Sequence, residues 1–353
     1  MAGNLYFPIV YLPAAVGVGL ARLLGGTPLQ MLYAARAADS CVLLLALWLV
    51  WLLAPEIRAL AVAVALLPTT LVQAGSVTAD IVTIVLSWTV FALVLRTRTV
   101  AVGRRFLVGL TCLFGLLALC KISIWALPLA LLVPTSQFGS MRCRVAWFAI
   151  VGIVMGGVAT AWQIADRSAM EGVRETRAAE GKFVDANFNT IRQHPVLAVR
   201  QMSLAFIQPR VLGSRMMRVV AAFGVRRFTL PLPVDLLYLA ALLAIGVFEG
   251  MRVPLIPFER LVLWLLTAGA ILLLLVAVYA TDATCSDLYS ISKCFDFWSI
   301  QGRYFVPFLF APLVALRLRN ITVRSELLLR VALPVAVIVN LVGLAKVYHH
   351  FYV

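Results

Sequence analysis

Long apolar runs separated by short, arginine-rich polar stretches recur along the whole chain. The stretch that frames the rest is Ala59 to Arg96, ALAVAVALLPTTLVQAGSVTADIVTIVLSWTVFALVLR, in which two apolar runs flank a polar turn from Gln73 to Asp80. At about 1.5 Å rise per residue, each run is predicted to cross roughly 30 Å of hydrocarbon. Asp80 is the only acid of this hairpin and sits where the second run begins. An ionisable group at such a boundary is costly unless it faces water, a cavity or a partner.

The other runs follow the same pattern. Leu29–Leu53, Val145–Ile164, Asp235–Glu249, Leu261–Ala280, Arg303–Leu316 and Val331–Val347 are each predicted to span, and two shorter runs lie between Arg105 and Phe138. The pattern predicts an all-α, polytopic transmembrane bundle of about nine spans. Arg36 and Asp39, spaced i,i+3 near the start of the second run, are predicted to pair on one helix face. The opening stretch, Asn4 to Pro8 and then IVYLPAAVGVGLARLLGG with Pro13 inside it, fits two readings. One is a helix lying in the interface with its aromatic rings at headgroup depth, the other a plain first span. Met1 to Pro8 has no basic segment and no small-residue cleavage site, so it does not read as a signal peptide.

Charge sets the expected orientation. Arg96, Arg98, Arg104 and Arg105 crowd one short loop and mark it as cytoplasmic, which puts the Asp80 turn outside. Lys121 then faces outward between two spans, either snorkelling to headgroups or meeting a phosphate. Residues 165–234 form one larger extracytoplasmic region. Within it, Val196–Val211 is predicted to lie as an amphipathic helix on the membrane surface. Arg210, Arg215 and Arg218 either form a solvated, lipid-hugging face or hold a lipid phosphate.

Composition narrows the class further. The chain is 63% hydrophobic and 13% charged, about half the charge of a soluble domain, with a mean hydropathy of +1.00. A β-barrel would need alternating ten-residue segments, which are absent. The net charge of +15 fits basic cytoplasmic loops near anionic headgroups, and no basic soluble domain is present to bind nucleic acid. Cys41, Cys112 and Cys120 fall in apolar runs, Cys143 falls in an inner loop, and Cys285 and Cys294 share an outer loop where an oxidising compartment would allow a disulfide. No zinc spacing, P-loop, Rossmann glycine pattern or nucleophile elbow occurs. No cofactor motif is present, and metal dependence stays open.

The remaining polar residues share the predicted outer side: Asp80, Lys121, the basic long loop, Asp282, Asp287, Asp296, and Gln301-Gly302-Arg303-Tyr304. A carboxylate serves as general base on an acceptor hydroxyl. Arginines hold a phosphate leaving group and stabilise its developing charge. One acid facing basic groups at a membrane surface therefore suits glycosyl transfer from a lipid phosphate. A transporter would show charges buried mid-span and paired broken helices in two related halves, and the sequence displays neither.

Three segments carry a resemblance: GNLYFPIVYLPAAVGVGLARLLGGTPLQMLYAARAAD, LLPTTLVQAGSVTAD and QGRYFVPF. They resemble a bacterial multi-pass membrane family known as domain of unknown function 2142, itself similar to the GT-C membrane glycosyltransferases. That resemblance covers nearly the whole chain. It implies a GT-C-like single integral membrane domain over residues 1–353, with N-terminal helices to residue 164, the 165–234 loop region and C-terminal spans from 235. It implies a bacterial cytoplasmic (inner) membrane location, membrane lipids around the chain, a polyprenyl-phosphate sugar as donor and an envelope glycan as acceptor. Asp80 takes the place of the second GT-C acid, as a catalytic residue. Arg303, Lys121, Gln301, Tyr304 and Arg210 are the implied substrate-binding residues. The chain departs from the GT-C pattern at its start, since no span and no Asp-Glu pair precede Asn4, and Lys121-Ile122-Ser123-Ile124-Trp125 stands where Lys-x-x-Tyr is expected. The rival expectation is a non-catalytic transport or assembly protein for envelope polysaccharide. An in-frame span and acidic loop encoded upstream of Met1 would favour the enzyme, and a stop codon there the rival.

Overall fold

The computed structural model describes residues 6–120, 123–167, 171–172, 175–176, 184–208, 219–220, 230–251, 253–282, 301–318 and 321–352. Among them there is no β-strand, only an isolated parallel bridge between Glu249 and Val323. The helices are α1 (Leu12–Leu23), α2 (Pro28–Leu53), α3 (Arg58–Ala65), α4 (Pro68–Ala74), α5 (Asp80–Arg96), α6 (Arg104–Leu119) and α7 (Met141–Ala165). They continue as α8 (Val184–Gln193), α9 (Pro195–Ile207), α10 (Leu232–Phe248), α11 (Pro257–Asp282), α12 (Phe310–Ala315) and α13 (Ser325–Tyr352). Among these, α2, α7, α11 and α13 are long and apolar enough to cross a membrane. A fifth crossing arises if the bent stretch through α3 and α4 is one span.

Local chemistry explains the first hairpin of helices. α1 ends where Gly25 takes a positive φ of 73°, with the Gly26 N–H reaching back to the Ala21 carbonyl at 2.8 Å, a Schellman stop. α2 starts with Pro28 at its first position, behind a capping box in which Thr27 and Gln30 bond each other's backbone N–H. The two helices then cross closely at Gly17, where an added Cβ would stand 2.9 Å from the Ala35 Cα and closer still to the Ala34 carbonyl. With the 3₁₀ turn Pro8–Tyr11 before it, α1 completes an apolar helix over Pro8–Leu23, shorter than the four long apolar helices.

α2 buries a seam of Ala35, Asp39, Leu43, Ala46 and Val50, while Leu44, Leu45, Trp48 and Leu52 face outward, as a lipid-facing helix should. Asp39 is 1% exposed, and both its oxygens lack a hydrogen-bond partner. The predicted Arg36–Asp39 pair does not form. Arg36 is exposed and lies over the Tyr33 ring at 5.7 Å, on a side of the helix that the buried seam does not share.

The first run of the framing hairpin is not one straight helix. It bends by 78° between α3 and α4, where Leu67 precedes Pro68. A break inside an apolar bundle survives only if the freed backbone groups find partners. Here they do. Tyr238 Oη donates to the Ala63 carbonyl (2.7 Å), Thr70 Oγ1 to Val64 (2.8 Å) and Asn340 Nδ2 to Leu66 (2.9 Å). Asn340→Leu should therefore cost about 1–3 kcal/mol, read from unfolding in detergent, because it orphans the Leu66 carbonyl. A loss near zero would mean that another donor serves this carbonyl.

α5 is the opposite of α2. It is covered around nearly its whole circumference, with only Leu86, Thr89, Leu93 and Arg96 less than buried. α2, α6, the 3₁₀ helix Ser123–Leu132 and the 3₁₀ turn Val306–Phe308 all pack on it. The predicted span Arg303–Leu316 is broken into the turns Gly302–Tyr304 and Val306–Phe308, followed by α12. Pro307 interrupts it, and the indole of Trp88 in α5 donates to the Val306 carbonyl (3.4 Å). Phe310 locks the segment further, 5.2 Å from the Trp88 ring and 5.7 Å from that of Phe91. The predicted surface helix Val196–Val211 appears as α9, and it is more than a surface element. Ala198, Met202, Ala205 and Phe206 are buried against protein.

Candidate functional site

The fold brings together two residues 223 positions apart. Arg303 Nη1 lies 3.1 Å from Asp80 Oδ2. α5 places Asp80 in its first turn, where a carboxylate is favoured by the exposed N–H groups. The 3₁₀ turn Gly302–Tyr304 places Arg303, and the anchoring of Val306 and Phe310 on Trp88 fixes that turn against the same helix. The turn preceding Asp80 is tied from behind by Gln73, which is buried. Its Oε1 accepts from Thr78 Oγ1 (3.1 Å) and its carbonyl from Ser76 Oγ (3.3 Å).

The pair is asymmetric in its exposure. The Asp80 side chain is 7% exposed and that of Arg303 25%, so the cation is the half that reaches the surface. The Arg303 guanidinium carbon lies 5.4 Å from the Tyr304 ring centroid, within cation–π range, while its Nε is buried without a hydrogen-bond partner. Tyr6 closes another side. Burial pushes its hydroxyl above the ordinary tyrosine range, the nearby Tyr304 and Tyr11 add to that rise, and Arg303 draws it back. Phe206 of α9 stacks on Phe305 at 6.4 Å, so the long polar region sends an aromatic side chain to the residues beside Arg303.

Of the residues singled out in the sequence, Asp80, Arg303 and Tyr304 meet here, and Gln301 caps the turn that carries Arg303. Lys121, Arg210, Cys285 and Cys294 lie outside the described residues, as do Arg215, Arg218, Asp287 and Asp296. Cys41, Cys112, Cys120 and Cys143 are free thiols. Among the described residues no group of three His, Cys, Asp or Glu side chains is placed to hold a metal ion. Sequence reasoning gave no role to Gln73 and left Tyr6 either in an interfacial helix or at the start of a plain first span. The signal for Tyr6 was its place in the segment that carries the family resemblance, and Gln73 had none beyond its position in the turn.

A family model described as predicted membrane protein (DUF2142) matches residues 1–312. The chain belongs to that family. Asp80, Arg303, Tyr304, Gln73 and Tyr6 all fall inside the family match, whereas α13, which supplies Asn340 to the α3–α4 break, follows it. No curated protein and no solved structure matches the chain.

The opposite end of α5 carries two further ion pairs. Arg98, two residues past α5, forks onto Glu259 at 3.0 and 2.8 Å and also donates to the carbonyls of Val253 and Pro254. Next to it, Glu249 accepts from the Ala59 N–H (2.7 Å), the Leu60 N–H (3.2 Å), Arg317 Nη2 (3.0 Å) and Ser325 Oγ (2.9 Å). Arg317 also donates to the Glu56 carbonyl at 2.7 Å. These contacts knit α3, α10, α12 and α13 together, with Arg317 Nε left buried and without a hydrogen-bond partner.

Proposed function

We propose that this membrane protein is a GT-C-like glycosyltransferase of about nine spans that takes a sugar from a polyprenyl phosphate on the outer face of a bacterial inner membrane. The observation that supports this reading best is the Asp80–Arg303 contact beside Tyr304 and Tyr6. An acid and a guanidinium side by side, with the guanidinium partly exposed, have the makings of a base and a phosphate clamp. In the proposed step the acceptor hydroxyl gives its proton to the Asp80 carboxylate. Its oxygen bonds to the sugar anomeric carbon as the bond from that carbon to the phosphate oxygen breaks. The lipid phosphate leaves with the electron pair, and Arg303 stabilises its charge. The product is a glycan extended by one sugar for the cell envelope.

The test is transfer of labelled sugar from polyprenyl phosphate in membranes holding wild-type or variant protein. Asp80→Asn should cut transfer by at least about 100-fold. Unchanged product would remove Asp80 from the mechanism. The second reading is a non-catalytic transport or assembly protein. The 78° bend between α3 and α4 and the partnerless Asp39 buried in α2 favour it, since broken helices and intramembrane acids mark transport paths. The same assay separates the two, because a transporter would move labelled donor between vesicle faces without forming product.

A further inference from the structure

The arginine-rich end of the bundle, predicted to face the cytoplasm, holds a cleft that the sugar-transfer reading does not use. Three segments meet at it: the link after α10 with Glu249 and Leu255, the first turn of α11 with Arg260, and the link after α12 with Arg317, Leu318 and Thr322. Its walls are fixed. The Leu318 N–H donates to the Val247 carbonyl (2.9 Å) and the Val323 N–H to the Phe248 carbonyl (2.7 Å), which ties the second link to the end of α10. The two links approach so closely that a Cβ added to Gly250 would stand 3.2 Å from the Thr322 Cβ. Arg98 holds the carbonyls of Val253 and Pro254 in the first link. A surface set in advance loses little entropy on taking up a ligand.

The charges and the apolar rim together select the ligand. Glu249 and Glu259 each already hold an arginine, Arg317 and Arg98. Arg260 is a third cation, half-buried, which donates from Nη2 to the Arg317 carbonyl (2.7 Å) and makes no ion pair among the described residues. Chain neighbours of the lining residues, Val253, Ile256, Phe258, Leu316 and Ile321, are exposed apolar side chains. We propose that this cleft binds the phosphate diester of an anionic membrane phospholipid, with Arg260 as its main donor and the acyl chains along the apolar rim. A guanidinium bonds two phosphate oxygens through parallel N–H groups, and basic pockets between membrane helices on the cytoplasmic side suit such heads. The Glu249 carboxylate in the same cleft sets the selectivity. It already accepts from Ala59, Leu60, Arg317 and Ser325, so it tolerates a singly charged diester, but the second charge of a free phosphate dianion would be repelled by it. The cleft shares no residue with the Asp80–Arg303 contact, so this site stands whether or not the chain transfers sugar.

Full-length protein in a neutral maltoside detergent is titrated with dioctanoyl phosphatidylglycerol, with dioctanoyl phosphatidylcholine and with inorganic phosphate, and bound adducts are counted by native mass spectrometry. Wild type is expected to bind phosphatidylglycerol about tenfold more tightly than phosphatidylcholine, and Arg260→Ala to lose that preference. Leu318→Glu puts an acid on the exposed rim without touching the Glu249–Arg317 contacts, and is expected to weaken phosphatidylglycerol binding by about tenfold as well. It decides the matter should Arg260→Ala fail to fold. Arg330→Ala removes an exposed arginine that does not line the cleft, and should change affinity less than about twofold. Equal affinity for the two lipids overturns the site. So does a loss in Arg330→Ala as large as that in Arg260→Ala, because general attraction to a basic surface would then explain the binding. Inorganic phosphate bound as tightly as phosphatidylglycerol overturns the assignment to a lipid.

Discussion

Glu249→Ala is expected to cost about 3–5 kcal/mol of unfolding free energy, the range for breaking a buried ion pair by removing one partner. The reason lies in what the carboxylate leaves behind. Arg317 is 2% exposed and would keep its charge inside the protein with only the Glu56 carbonyl as acceptor. The N–H groups of Ala59 and Leu60, which open α3, would lose their acceptor, and so would the Ser325 hydroxyl that opens α13. Unfolding in detergent, followed by tryptophan fluorescence, measures the loss. A double variant with Arg317→Leu should recover much of it, since the uncompensated charge goes too. A loss below about 1 kcal/mol in the single variant would mean that this cluster is solvated, and the account of the bundle's basic end would be wrong.

The second large effect runs the other way. Asp39→Val is expected to stabilise the fold by about 1–3 kcal/mol, because it removes a carboxyl whose two oxygens meet no donor and leaves an apolar group in an apolar seam. Most core substitutions destabilise, so a gain here is diagnostic. Arg36→Ala, in contrast, should change stability little, since the exposed arginine does not reach Asp39. A rise in the midpoint of thermal unfolding for Asp39→Val checks the claim. A fall of similar size would reveal a bound cation or water satisfying the acid. Should the gain in stability come with lost movement of lipid-linked sugar, the transport reading would rise over the enzymatic one.

How much of this was readable in the chain depends on the distance over which each feature is decided. The long crossings α2, α7, α11 and α13 lie where run length placed them, because about 20 apolar residues in sequence are themselves the cause of a span. Asp80 and Arg303 stood out on chemical grounds, as an acid at a run boundary and an arginine in QGRYF, yet nothing local said they would touch. The break at Leu67-Pro68 had a local signal in the proline. What makes it tolerable did not, since the Asn340 amide and the Tyr238 hydroxyl that satisfy its carbonyls arrive from more than 170 residues away. The predicted Arg36–Asp39 pair failed for a related reason. Spacing of i,i+3 allows contact, but packing chose which side of α2 to cover and took Asp39 alone. Glu249 closes one predicted span and Arg317 directly follows another, and nothing local pairs them; the fold sets them on one another.

Enclosure of α5 has a consequence for biogenesis. The partner that fastens Trp88, the Val306 carbonyl, is 218 residues further along. At roughly 5–20 residues per second of synthesis, that partner emerges roughly 10–45 s after the indole does. Through that interval the Trp88 indole lacks its acceptor, and Trp88 and Phe91 lack the Phe310 ring, while α2, α6 and the 3₁₀ helix Ser123–Leu132 are already made. The helix that finishes most shielded thus waits longest for its final neighbours, and slowed translation downstream of it should expose this protein to membrane proteases before any variant at its surface does.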